Sequence, residues 1–283
     1  MRHAKGSIVL SETQDHPILR QVLACGFVTH DQLFRFMQLS LHERSRNSFN
    51  NRIRRLVKHD IVAEGYSPLV PGSRYYSIPT ATAVILAGRG PLYVGAITGL
   101  EKRRETDALA HAIELNDIHL ALAGSGLLIR WKPEVEIRAQ NERTDFGHSK
   151  DYDAVVTVCC RKAEVRFALE YERTAKTEAE YADIGRRIEQ DLHIQTVLYL
   201  AATDHLMYCL RDRFVPKRKV ICIALMQEFQ RRLLQTGGAG WEIYPATNLR
   251  RRSGRSRSEN GPRKADDVLM PFFCGRFASL CNH

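Results

Sequence analysis

Three apolar stripes at helical spacing open the chain. In HPILRQVLACG the stripe is Ile18, Leu19, Val22 and Leu23, and it stops at Gly26, which suits a C-cap. VTHDQLFRFM begins with Thr29 and places Gln32 three residues on, the spacing of a capping box. RSRNSFNNRIRRLVKHD carries Phe49, Ile53, Leu56 and Val57 at i, i+4, i+7 and i+8, which predicts a third helix with one buried face. The period then changes. IVAEGYSPLVPGSRYYSI reads as a short strand, a Pro/Gly turn and a second strand containing Arg74, Tyr75 and Tyr76.

Gly88, Gly90 and Pro91 predict the end of a first domain spanning residues 14–90, with a linker over 91–105. A helix from Thr106 to Ala123 follows. Leu109, Ile113 and Leu120, with Leu115, Ile118 and Leu122, make its apolar stripe wide enough for a core helix; His111, Glu114, Asn116, Asp117 and His119 are expected to cap, pair or face solvent. Strands are expected in LLIRWKPEVEIRA, DAVVTVCC, EVRFALEYE, IQTVLYLA and KRKVICIAL, and a helix in TEAEYADIGRRIEQDL. That order predicts a layered α/β core over 106–248, so the chain is α/β, or α+β once its first domain is counted.

At 283 residues there is room for two modest domains. The net charge of +10 is unevenly spread: +6 over residues 1–98, −1 over 99–248, +6 over 249–264 and −1 over 265–283. Two separate basic surfaces imply a polyanionic partner, because phosphate neutralisation is the main sequence-independent source of nucleic-acid affinity. Residues 249–264 lack apolar periodicity and are expected to form a flexible basic arm, whereas VLMPFFCGRFASL, within 265–283, is apolar enough to dock. Seven cysteines without a C-x-x-C pair argue against a disulfide framework and a zinc site. No run approaches the roughly 18 apolar residues of a membrane span, so a cytoplasmic protein is expected.

The order of the first five elements is that of a winged helix. Arg46, Asn47, Asn50, Asn51, Arg54, Arg55 and Lys58 fall off the apolar stripe of the third helix, and arginine and asparagine can make paired hydrogen bonds to guanine and adenine edges in a major groove. With Arg74 on the wing, these are the candidate DNA-binding residues. A solvated basic face, or a winged helix used for protein contact, fits the same pattern.

In the second domain, EVRFALEYE alternates faces, so Arg166, Ala168, Glu170 and Glu172 project together. Pairing with DAVVTVCC as a hairpin brings Asp153 beside Glu170 and Glu172. Three crowded carboxylates need a cation, for which Mg²⁺ is the natural candidate, and Lys176 follows within one turn. A bound Mg²⁺ can activate water and offset charge on a phosphodiester.

With these acids, the element order resembles the PD-(D/E)xK restriction-endonuclease-like fold. From His16 to Ala201 the chain is similar to the replication-relaxation family of plasmid proteins, related to MobC-type mobilisation relaxases. The resemblance rests on the winged helix, on HAIELNDIHLAL, on YDAVV and on ALEYERTAKTEAEY. It implies Asp153 and Glu170 as metal-binding acids with Glu172 beside them, Glu114 as a helix acid, Lys176 as a displaced motif lysine, and a DNA-processing role in replication or mobilisation. The chain reads Glu170-Tyr171-Glu172 where the nuclease motif has Glu-x-Lys. A DNA-binding regulator with an inert nuclease-like domain is the alternative. No two histidines stand one residue apart, so a His-hydrophobe-His relaxase site is not present.

Overall fold

The computed structural model describes residues 8–69, 74–87, 105–160, 163–214, 216–234 and 244–245. The chain is a mixed α and β protein in two compact units, Met1–Leu120 and Ala121–His283. The expected linker lies outside the described residues except for Glu105; the Pro/Gly turn at 70–73, the basic arm and the C-terminal apolar segment also lie outside them. No helix among the described residues is long and apolar enough to cross a membrane.

The first unit runs α1 (Asp15–Cys25), β1 (Val28–Thr29), α2 (His30–Leu39), α3 (Arg46–Lys58), β2 (Ala63–Tyr66), β3 (Arg74–Ser77) and α4 (Thr80–Ala87), followed by α5 (Glu105–Gly124), within which the division between units falls. The three strands form an antiparallel sheet in the order β1-β3-β2. Gly26 closes α1 with φ 70°, a conformation that costs a glycine little. The capping box at α2 is present in both directions: Thr29 Oγ1 accepts from Gln32 N–H, and the Gln32 side chain accepts from Thr29 N–H. Ile18, Leu19, Val22, Leu33, Met37, Phe49, Ile53, Leu56 and Tyr76 form the core. Val57, expected inside, is only partly buried.

α1 and α3 are tied by charge as well as by packing. Asp15 is fully buried and accepts from Ser11 N–H at 2.8 Å, from Arg52 at 3.2 Å and from Arg55 at 2.5 Å. Removing it with Asp15→Ala takes an anion from two guanidinium groups, of which Arg52 keeps Gln14 at 2.6 Å and Glu43 at 3.9 Å. The expected loss falls below the about 3–5 kcal/mol of a charge left buried and unpaired, because the Arg55 side chain is 43% exposed and Arg52 keeps other partners. A urea unfolding curve with a lowered midpoint and unchanged slope checks it.

α5 is tied by hydrogen bonds to α2 and to Phe27, the residue before β1. Asn116 donates to Phe27 O at 2.8 Å, and Gln32 Nε2 donates to Ile113 O and Asp117 Oδ1, both at 2.8 Å. The expectation that these α5 residues pair therefore holds for Asn116 and Asp117. His119 lies 4.8 Å from the Phe36 ring, and burial pushes it down to about 3.

The second unit runs β4 (Leu128–Pro133), α6 (Glu134–Arg143), β5 (Ala154–Cys160), β6 (Ala163–Glu172), α7 (Glu178–Gln190), β7 (Thr196–Ala201), α8 (Asp204–Arg213), β8 (Val220–Leu225), α9 (Met226–Leu234) and β9 (Tyr244–Pro245). These strands form one sheet in the order β4-β5-β6-β7-β8-β9, antiparallel through β6, parallel from β6 to β8, and antiparallel again at β9. β7 is buried at every residue, as expected of a central strand covered on both faces.

Several elements differ from expectation: β1, α4, α9 and β9 were not foreseen, and two of the differences bear on the sheet. EVEIRA, read as strand, is the first part of α6. Pro133 stands at its N-cap, Glu134 and Glu136 occupy the first turn, and Glu134 pairs with Arg138 one turn on at 2.6 Å. α8 was not expected either; it is opened by Thr203, whose hydroxyl accepts from Leu206 N–H at 3.3 Å. The β5–β6 hairpin follows the expected pairing, with Ala154 opposite Leu169 and Cys160 opposite Ala163. On the face shared by Val155, Ala168, Val197, Tyr199 and Ile221, the sheet packs against Tyr181 and Ile188 of α7, Leu206 and Leu210 of α8, and Phe214.

Candidate functional site

In the first unit the candidate surface is α3. Ser45 caps it, accepting from Ser48 N–H at 3.3 Å, and Phe49, Ile53 and Leu56 bury one side. Asn47, Asn51, Arg54 and Lys58 recur at i, i+4, i+7 and i+11, and all four are exposed. The other expected DNA contacts have internal partners. Arg46 is paired with Asp31 and lies 4.6 Å from the centre of the Phe34 ring; Arg55 is held by Asp15; Arg74 pairs with Glu64 across the β2–β3 ladder at 3.0 Å. Asn51 Oδ1 accepts from Arg54 Nη1 at 3.0 Å.

Asn50 belongs to a chain of hydrogen bonds that the sequence did not reveal. His30 Nε2 is 2.9 Å from Asn50 Oδ1, and His30 Nδ1 is 2.8 Å from Tyr76 Oη, so one ring joins α3 to β3. The ring packs on Phe49 at 5.1 Å. Burial pushes His30 below the usual histidine range; Arg46 and Arg74 act the same way, against Asn50 and Asp31. In the neutral ring one nitrogen donates and the other accepts, so Asn50 and Tyr76 between them satisfy both.

In the second unit the structure brings Asp153, Glu170, Glu172 and Lys176 to one end of β6. Asp153 stands one rung beyond the Ala154–Leu169 pair, opposite Glu170, and its Oδ2 accepts from Tyr171 N–H at 2.7 Å. Lys176 donates to both oxygens of Glu172. Glu170 is engaged by Lys150, which donates to Oε1 at 2.5 Å and lies 5.3 Å from the centre of the Tyr152 ring. Lys150 stands one residue before the acidic stretch, in the segment that leads into β5. Glu114 is on α5 in the first unit, where its charge acts on Asp117.

Glu170 and Tyr199 are register partners on β6 and β7. Tyr199 is 1% exposed, and its hydroxyl has no hydrogen-bond partner among the described residues, although Glu170, Glu172 and Asp153 all act on it. An unmatched buried donor beside carboxylates is a costly arrangement, retained mostly where a ligand or water completes it.

Burial pushes Glu170 up to about 7, with Asp153 acting the same way and Lys150 opposing. Burial also raises Glu172, against Lys176. Lys150 is held above the usual lysine range, because Glu170 and Asp153 outweigh the cost of its own burial. Two ammonium groups thus face three carboxylates. By chemistry the acids suit a hard cation. In the structure Lys150 and Lys176 neutralise them, and among the described residues no three His, Cys, Asp or Glu side chains are gathered as a metal site.

No family model, curated protein or solved structure matches this chain. Its chemistry rests on its own residues.

Proposed function

We propose that the chain is a DNA-binding protein whose first unit is a winged helix-turn-helix and whose second is a PD-(D/E)xK-like domain with a Mg²⁺-dependent nicking site. The observation that carries the reading is the exposed Asn47, Asn51, Arg54 and Lys58 stripe on α3, beside a β2–β3 hairpin that bears Arg74. Helix width and donor chemistry suit a major groove. Asp153 and Glu170, with Glu172 beside them, would hold the ion, which supplies activation of water and offsets phosphodiester charge when bound. Lys150, buried against Glu170, is positioned to pair with a phosphate oxygen, and the Tyr199 hydroxyl to orient a water.

A DNA-binding regulator with an inert second unit is the other reading. It is favoured by Glu172, which takes the place of the motif lysine and is itself tied up by Lys176. The resemblance to plasmid replication-relaxation proteins makes origin DNA the first substrate to test. Full-length chain is titrated onto labelled duplex at several salt concentrations, and supercoiled origin plasmid is incubated with and without Mg²⁺. Salt-dependent binding with Mg²⁺-dependent conversion to open circles is the expected result. Binding without conversion selects the regulator, and no binding at low salt rejects both.

A further inference from the structure

The second unit carries a basic stripe that the Glu170 site does not use. Arg130 on β4 and Arg166 on β6 are both register partners of Thr157 on β5, so two guanidinium groups flank one residue on one face of the sheet. Lys132 shares that face, level with Val155 and Ala168. Burial pushes Lys132 below the usual lysine range; Glu136 opposes, and Arg166 and Arg130 act with burial, as close cations do. Both arginines are exposed, and neither has an ion pair among the described residues. Two acids stand near, Glu136 on α6 and Glu164 two residues before Arg166, and neither pairs with them. Like charges gathered on a sheet cost stability, and an anion laid over them removes that cost.

Beside the stripe stands an aromatic ring turned to water. Lys132 donates to Gln140 Oε1, and Gln140 Nε2 donates to Phe146 O at 3.3 Å, so two hydrogen bonds tie the backbone of Phe146 to the stripe. Phe146 is 79% exposed. Cations along a strand and an open ring next to them are the two parts of a single-strand site, in which phosphates are neutralised and a base stacks. A duplex keeps its bases in their own stack and leaves such a ring unused.

We infer that this face of the second unit binds single-stranded nucleic acid, with phosphates on Arg130, Lys132 and Arg166 and a base on Phe146. The surface belongs to the second unit alone and needs no metal. Arg166 shares its face of β6 with Glu170, four residues or about 13 Å further on, so a strand held on the stripe is led toward the acids. That this delivers a phosphodiester for cleavage rests on the nuclease-like reading.

The test titrates the full chain onto labelled oligo(dT) of about 12 nucleotides, in EDTA and at several salt concentrations. Arg130→Glu with Arg166→Glu should weaken binding at least about tenfold and lower the salt slope by about 1.4, the share of two phosphates on a single strand. Phe146→Ala should weaken it at least about fivefold with the slope unchanged, and Phe146→Trp should restore it. All three positions are exposed, so the variants are expected to melt as the parent does. On duplex DNA Phe146→Ala should change nothing. Oligo(dT) binding that ignores either set of substitutions, or a Phe146→Ala loss that is equal on duplex, overturns the inference, as does a parent that fails to bind oligo(dT) at low salt. The oligo(dT) titration involves neither Mg²⁺ nor duplex, so a chain that holds oligo(dT) in this way but neither binds nor nicks duplex fails the earlier reading and keeps this one.

Discussion

Reversing the charge on Arg54 and Lys58 together will abolish site-specific duplex binding while the protein melts as the parent does. Each reversal removes an interaction worth about 1–3 kcal/mol, so the pair should cost at least about thirtyfold, and the salt slope should fall by about one for each phosphate no longer neutralised. Neither residue holds the fold: both lie on the exposed stripe, and the only side-chain partner found for Arg54 among the described residues is its neighbour Asn51. Arg55→Glu is the contrasting variant. Its guanidinium grips buried Asp15, so its loss should appear first in the melting temperature. If the Arg54 and Lys58 double variant binds like the parent in an anisotropy titration, α3 is not the DNA surface.

At pH 8 a Glu170→Gln variant will melt above the parent, and the Mg²⁺-dependent nicking proposed for the parent will be absent from it. The sign follows from the raised carboxyl. A group whose folded pKa lies near 7, against about 4.5 when unperturbed, contributes stability that is complete below 4.5 and lost as pH rises through 7. The glutamine mimics the protonated acid, so the two proteins should melt alike below about pH 4.5, part as pH rises from there to about 7, and keep a constant gap above it. Mg²⁺ at a hundredfold excess over Kd should raise the parent melt by about 5–10 °C and leave the variant unmoved. Proton competition predicts that Mg²⁺ affinity climbs with pH up to about 7 and then levels. If the variant melts lower than the parent at pH 8, the Lys150 pair outweighs the cost of burying the charge. With no effect of Mg²⁺ on the parent as well, Asp153, Glu170 and Glu172 are a structural ion-pair cluster and the metal reading fails.

Much of the architecture was readable because it depends on period. The α1 and α3 stripes, the Thr29 box and the Asp153–Glu170 juxtaposition each follow from short-range geometry: 3.6 residues per turn, a cap three residues away, or alternation across a hairpin. α6 was misread for the same reason. Val135, Ile137 and Ala139 alternate like a strand because this helix buries residues on more than one side, and Pro133 was the better signal. What a side chain does across the fold was not readable. Arg55 and Asn50 look outward by periodicity, yet Asp15, 40 positions earlier, and His30, 20 positions earlier, claim them. Lys150 escaped notice for want of any local pattern, and a lone histidine at the start of α2 gave no sign that it orients an amide on α3.

The position of β6 in its sheet sets an order of assembly. On one side β6 meets β5 through a hairpin, which brings Asp153 to Glu170 by contacts close in sequence. On its other side stands β7, a parallel partner reached only after α7 has crossed over, and this partner brings Tyr199. Hairpins close in about microseconds, whereas non-local parallel pairing is slow. The acids therefore meet while still in water, and Glu170 loses its hydration only when β7 docks. Because that last dehydration is cheaper for a protonated carboxyl, the docking of the parallel half of the sheet is expected to be favoured as pH falls below about 7.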